Sequence, residues 1–230
     1  MLMPPMRHAH LTRCVLLFTN FFLIIAALYH LKPASRSLFI SALGSDYLPY
    51  VWIAIAATLG LIIGVYHRLV ARHSRMQVVL GSCAIVIACL LMFHGLINGN
   101  SVVLAFAFYT FVDVLSVILV EQFWSLTNSI YDTDTGKRWY GLIATGGLVG
   151  GMAGGAMSAA LIERFGLGTT DLLLVAAAII AALMLLTLLM GRLGLYTEQP
   201  GVRDNGLRSG AARTAGDWRA IARHRYLFLI

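Results

Sequence analysis

The sequence predicts an all-α membrane protein of six transmembrane helices, and three observations predict it. Of 230 residues, 59% are hydrophobic and only 12% are charged, against roughly 45–50% and about 25% in a soluble domain. The apolar residues fall in blocks of about twenty or more, the length that crosses roughly 30 Å of hydrocarbon. Lys and Arg are distributed unevenly among the loops between those blocks, as the positive-inside rule requires.

The first block runs from Leu11 to Leu31. Arg7 and Arg13 precede it in the manner of a signal peptide, but the run is too long and no A-x-A site follows, which favours a first span. The second block is Leu48 to Val70, the third Met76 to Ile97 and the fourth Ser101 to Ile130. The fifth is Tyr140 to Ile162 and the sixth Asp171 to Met190. None shows the dyad alternation of a barrel strand, so all six are expected to be helices. Residues 1–190 thus make one bundle.

With the N-terminus in the cytoplasm, 14 of the 17 basic residues fall inside. Only Lys32, Arg36 and Arg164 fall outside. The net charge of +7 then reads as topology and lipid contact, not as nucleic-acid binding. Residues 191–217, rich in Gly and Arg, read as a flexible cytoplasmic linker. Residues 218–230, "DWRAIARHRYLFLI" from Asp217 onward, read as an interfacial helix and the start of a truncated seventh span. The expectation is the front half of a longer polytopic protein, or a truncated copy, in a bacterial inner membrane.

Cys14, Cys83 and Cys89 sit in apolar blocks and read as buried thiols, not as a disulfide or metal set. No metal or cofactor is expected. Catalysis is not expected either. A rhomboid-like protease needs a Gly-x-Ser-Gly-like nucleophile with a membrane His, and Ser158 in "AMSAA" and His94 at a span end do not supply one.

The fourth block carries the polar residues that call for explanation. At 100° per residue, Asp113, Val117, Glu121, Trp124 and Asn128 fall within an arc of about 80°. Carboxylates near a bilayer centre cost about 2.5–3.5 kcal/mol on insertion scales, and they face cavities, partner charges or proton paths. Two readings stay open: a stripe lining a solute pathway, or pairing with bases on a neighbouring helix that only holds the bundle together. Trp124 is placed either to stack on a solute ring or to pack.

Lys32 and Arg36, in "LKPASRSLF", are the natural counterparts, one turn apart if the helix continues past Pro33. Their alternative is interfacial snorkelling. Two cations at a pore mouth would attract an anionic solute. "DTDTGKRWY" is placed in the turn before the fifth block. Asp132 and Asp134 can cap that helix. Lys137 and Arg138 either contact lipid phosphates, an acidic partner in the other half or an anionic solute entering from inside, or serve as topogenic charges. The fifth block holds two registers of small-xxx-small, Gly146, Gly150, Gly154 and Gly147, Gly151, Gly155, which read as a close-packing helix face.

"EQFWSLTNSIYDTDTGKRWYGLIATGGLVGG" resembles the pattern of the ATP:ADP antiporter (nucleotide transporter) family and its bacterial relatives in the major facilitator superfamily. The shared features are a Gln-Phe-Trp core at Gln122, Phe123 and Trp124, a following Asn, a Lys-Arg loop and a glycine-rich span. "LKPASRSLF" with "DYLPYVW" is similar to the family's stretch after its first span. The loop "YHRLVARHSRM" departs from the superfamily's Gly-x-x-x-Asp-Arg signature, because it lacks the Asp.

The resemblance implies the N-terminal six-helix half of a major-facilitator-type fold, a 3+3 inverted repeat with solute bound between two halves. It implies a secondary active transporter for an organic anion, with nucleotide exchange as its narrower form. Lys32, Arg36, Asp113 and Lys137 are the positions it carries over. The partners implied are lipid, the anionic solute and a second half or second copy. The alternative is a non-transporting scaffold or sensor derived from such a half.

Overall fold

The computed structural model describes residues 5–97, 101–131 and 133–194, with side chains described at 11–66, 73–97, 101–131, 136 and 138–194. The segment beyond Gly194, where the linker and the seventh span were expected, lies outside the described residues. So do the side chains of Asp132, Asp134 and Lys137.

Among the described residues there are six α-helices: α1 Pro5–Leu43, α2 Leu48–Arg72, α3 Arg75–Leu96, α4 Val102–Ile130, α5 Thr133–Phe165 and α6 Asp171–Arg192. Each is long and apolar enough to cross a membrane. The chain is an integral membrane protein by that criterion.

The ends of the helices follow from local chemistry. Gly44, at φ 83°, closes α1, and its N–H donates to the Ile40 carbonyl at 2.9 Å. A side chain at that φ would be strained. Ser74 and Gln77 form a reciprocal capping box at the start of α3, so the α2–α3 turn satisfies its own orphan donors. Ser101 caps α4 by accepting from the Leu104 N–H. Gly166, at φ 63°, ends α5 in a Schellman arrangement: Leu167 N–H donates to Leu161 O and Gly166 N–H to Ile162 O.

Several helix ends extend past the expected blocks, α1 beginning at Pro5 and α5 ending at Phe165 among them, and two of the differences bear on the charged residues. α1 continues to Leu43, twelve residues beyond Leu31, so Lys32 and Arg36 lie inside the helix and not at its end. α5 starts at Thr133 and not at Tyr140. Lys137 and Arg138 therefore belong to its first turns and not to the preceding loop.

The continuity of α1 has to be reconciled with Pro33. Proline has no N–H, so the carbonyl four residues back, on Tyr29, loses its helical donor. In hydrocarbon no water can replace it. The Ser158 hydroxyl, reaching from α5, donates to the Tyr29 carbonyl at 3.3 Å. A residue 129 positions away thus supplies the hydrogen bond that Pro33 removes.

α1 is the centre of the bundle and packs on α4, α5 and α6. α3 packs on α6 and α4, and α2 packs chiefly on α4. The main core joins Leu17, Ile24, Leu31, Phe108, Leu115, Leu119 and Ile180, among others. A separate small cluster, Phe39, Val51 and Tyr109, ties the extended end of α1 to α2 and α4.

The α1–α5 contact depends on glycine. A Cβ at Gly146 would lie 2.5 Å from the Phe18 carbonyl oxygen, and one at Gly154 2.8 Å from that of Ala26. At Gly150 it would strike the carbonyl of Phe22. The second register, Gly147 and Gly151, faces the rings of Phe21 and Tyr29, while Gly155 leaves ordinary space. The first register therefore brings α5 onto the α1 backbone itself, as small residues allow in membranes.

Candidate functional site: a charged face on α1 and α4

α1 and α4 run antiparallel where they meet. Phe21 stacks on Phe123 at 4.5 Å between ring centroids, and eleven residues further along α1, Lys32 meets Asp113. The Lys32 Nζ lies 4.0 Å from the Asp113 Oδ1. That is the range of a charge–charge contact, longer than a hydrogen bond. Asp113 stands eleven residues into a 29-residue helix. At about 1.5 Å per residue the pair lies close to the middle of α4 and not at an interface.

Both partners are half-buried, the Lys32 side chain at 35% exposure and that of Asp113 at 23%. Arg36, Glu121 and Asn128 are exposed. All three extend the same two helix faces. The six described helices therefore leave uncovered a strip that carries both signs of charge. A strip of this kind is costly against acyl chains.

Trp124 belongs to the stripe by position but to the core by contact. Its ring meets Phe21 at 5.7 Å, Phe123 at 5.3 Å and Tyr140 at 5.8 Å, each edge-on. The aromatic cluster locks α1, α4 and α5 together, so the contacts observed at Trp124 are packing contacts. Arg138 is exposed and lies over the Trp139 ring at 5.9 Å.

Residues outside the expected set also carry polar contacts. On the far side of α4, Ser82 Oγ donates to the Gln122 amide oxygen at 2.7 Å. Arg75 donates to the Ser125 carbonyl at 2.8 Å, and Tyr66 hydrogen-bonds the Ser125 side chain. Asn20 donates to the Thr187 hydroxyl at 3.1 Å within the α1–α6 contact. His30 is fully buried, with Nδ1 2.8 Å from the Ala26 carbonyl and Nε2 lacking a partner among the described residues. The available signal for these was a lone polar side chain inside an apolar block. The charged stripe occupies one face of α4, and Gln122, named in the sequence only as part of the Gln-Phe-Trp core, lies on the other.

His94 and Ser158 lie on different helices, and each meets a backbone carbonyl, that of Thr170 and that of Tyr29. Cys14 and Cys83 are buried and Cys89 is half-buried, all three free thiols. Tyr131, just past the end of α4, is buried, and burial pushes its phenol up to about 12.

A cavity of about 490 Å³ lies between α2, α3 and α4. Its α4 wall consists of Phe111, Val114, Leu115, Ile118, Leu119 and Gln122. On a helical wheel these positions centre roughly 170° from Asp113. The cavity and the charged face are thus on opposite sides of α4.

Comparison of the chain with protein-family profiles, with curated proteins and with solved structures finds no match.

Proposed function

We propose that the chain is one half of a secondary active transporter that moves an organic anion by alternating access. The observation that carries this reading is the Lys32–Asp113 pair, near the middle of α4 and in the C-terminal third of α1, on a face the described helices do not cover. Lys32 and Arg36 attract the anion and neutralise its charge. Asp113 holds Lys32 when solute is absent and releases it when solute binds. Glu121 and Asn128 line the same path. A second six-helix half, or a second copy, closes the path over this face.

The pattern of helix contacts supports the six-helix half of a major-facilitator fold. Exchanging α1 with α4, α2 with α5 and α3 with α6 turns the α1–α5 contact into α4–α2 and the α1–α6 contact into α4–α3. The α1–α4 and α3–α6 contacts map onto themselves. A 3+3 repeat has this symmetry. The resemblance of residues 121–151 to the ATP:ADP antiporter family makes nucleotides the first solutes to test.

The experiment is uptake of radiolabelled nucleotides and other organic anions into proteoliposomes containing the chain, compared with Lys32→Gln and Asp113→Asn. Uptake falling to background in both variants is the expected result. Unchanged uptake in Lys32→Gln would sink the reading. One observation favours a non-transporting scaffold or sensor instead: the 490 Å³ cavity does not reach the charged pair. Absence of uptake of every anion, with the protein folded and paired with a second half or second copy, selects that second reading.

A further inference from the structure

We propose that Arg13 and Tyr131 form a binding site for a phosphate group, at the end of the bundle where α1 begins and α4 gives way to α5. The site lies roughly 28 Å along α1 from Lys32, at about 1.5 Å per residue. It is separate from the charged face and does not rest on the transport reading.

Two polar atoms without partners mark it. The Tyr131 hydroxyl and the Arg13 Nε are both buried, and neither has a hydrogen-bond partner among the described residues. Tyr131 as a whole is 5% exposed. Buried polar groups are nearly always paired, so each orphan calls for an explanation. Two orphans at one place, each able to donate, call for an oxygen-rich anion.

The fold brings them together. α1 and α4 run antiparallel, with Phe21 stacked on Phe123. Eight residues back from Phe21 is Arg13, and eight residues forward from Phe123 is Tyr131. Arg13 lies close enough to act on the phenol electrostatically, as does the adjacent Cys14. Tyr131 is also held in place. Its N–H donates to the Thr127 carbonyl at 3.2 Å. Its ring meets Tyr140 edge-on at 6.3 Å, and Tyr140 in turn meets Trp124 at 5.8 Å. This run of rings fixes where the hydroxyl points.

The chemistry selects phosphate. Burial keeps the Tyr131 phenol protonated well above neutral pH, so it meets a ligand as a donor. A guanidinium is a permanent cation, and no carboxylate among the described residues pairs with Arg13. The Nε belongs to the edge of the guanidinium that grips two oxygens of a carboxylate or a phosphate. A carboxylate then has no third oxygen for the phenol, and a phosphate does. The height agrees with this. Arg13 is near the start of the span that begins at Leu11, and Tyr131 follows the span that ends at Ile130. That is the level of the headgroups, which a phosphate reaches either on a lipid or free in solution.

The purified full chain in detergent is titrated with inorganic phosphate, chloride holding the ionic strength constant, and separately with phosphatidylglycerol and with diacylglycerol. Bound phosphate is read by equilibrium dialysis and retained lipid by native mass spectrometry. At least one phosphate source is expected to bind. Arg13→Gln and Tyr131→Phe are each expected to weaken it by about tenfold or more, the scale of a hydrogen bond to a charged group. Arg138 is an exposed cation at the same end, about 160° from Tyr140 around α5, and Arg138→Gln is expected to leave binding unchanged. Phosphatidylglycerol binding above diacylglycerol, without inorganic phosphate, identifies a lipid headgroup as the ligand. Inorganic phosphate binding alone identifies a free phosphate. Either result supports the site.

Binding of neither source overturns the proposal, and so does binding that survives Tyr131→Phe. Diacylglycerol retained as tightly as phosphatidylglycerol, with no inorganic phosphate bound, overturns it too. Loss of binding in Lys32→Gln with none in Arg13→Gln would move the phosphate to the charged face, refuting this site and leaving the transport reading untouched. Binding gained only after Asp132→Asn with Asp134→Asn would show that an internal carboxylate holds Arg13, and the proposal fails. Tyr131→Phe removes an oxygen that has no partner, so its thermal unfolding is expected to match the parent's. Should Arg13→Gln fail to fold, Tyr131→Phe decides alone.

Discussion

Ser158→Ala isolates one hydrogen bond whose purpose the geometry makes explicit. The substitution removes a single oxygen from a residue that is 4% exposed, so it leaves almost no cavity. What remains is the Tyr29 carbonyl, deprived of its helical N–H by Pro33 and now of its replacement donor at 3.3 Å. Interhelical hydrogen bonds in membranes average about 0.6 kcal/mol and reach roughly 1.7 kcal/mol. A buried acceptor left wholly unpaired costs about 1–3 kcal/mol. The expected loss is therefore about 1–2 kcal/mol, measured by equilibrium unfolding in mixed micelles followed by circular dichroism.

The mechanism is tested by the Pro33→Ala background. Alanine restores an N–H at residue 33, four residues after Tyr29, so the carbonyl regains its ordinary partner. In that background Ser158→Ala is expected to cost only a few tenths of a kcal/mol, giving a coupling of about 1 kcal/mol in the double-mutant cycle. Equal losses in the two backgrounds would refute the reasoning, since the hydroxyl would then be serving something other than the carbonyl that Pro33 orphans.

Further outcomes follow from the same geometry. Gly150→Ala is expected to destabilise by about 1–3 kcal/mol through collision with the Phe22 carbonyl. Gly155→Ala, with ordinary space at its Cβ, is expected to stabilise by about 0.5–1 kcal/mol through helix propensity; unfolding of the two variants in micelles compares the signs. In the Lys32→Gln, Asp113→Asn double variant, the loss of stability is expected to be smaller than in Lys32→Gln alone, because single removal leaves an unpaired charge near the middle of α4, and the same micelle assay reads it. Tyr131 has its folded-state pKa raised from 10.0 to about 12 by burial. Its contribution is therefore complete below pH 10 and lost as pH rises from about 10 to 12. An alkaline unfolding series of Tyr131→Phe against the parent is expected to lose that dependence.

Much of the architecture was legible without coordinates. The number and type of the elements followed from block length and composition, because hydrocarbon admits few backbone solutions. The glycine registers of α5 were visible as spacing, and spacing is what a close helix contact needs. The ends of α1 and α5 were not legible. Both helices continue into segments whose polar residues read as loop, since the sequence alone does not show where lipid gives way to protein or water.

What the sequence determined by itself is that this chain must be a helical bundle within a membrane, with both charge signs on α1 and α4. Which groups meet was decided only by the tertiary structure. The Lys32–Asp113 contact, the Ser158 bond to Tyr29 and the cavity behind α4 join residues 81, 129 and about 45 positions apart. Helical periodicity orders side chains within one element and carries no information about the rotation or approach of another. That relation is fixed by the close packing of α5 on α1 and by the antiparallel α1–α4 contact, and both exist only once the bundle has assembled.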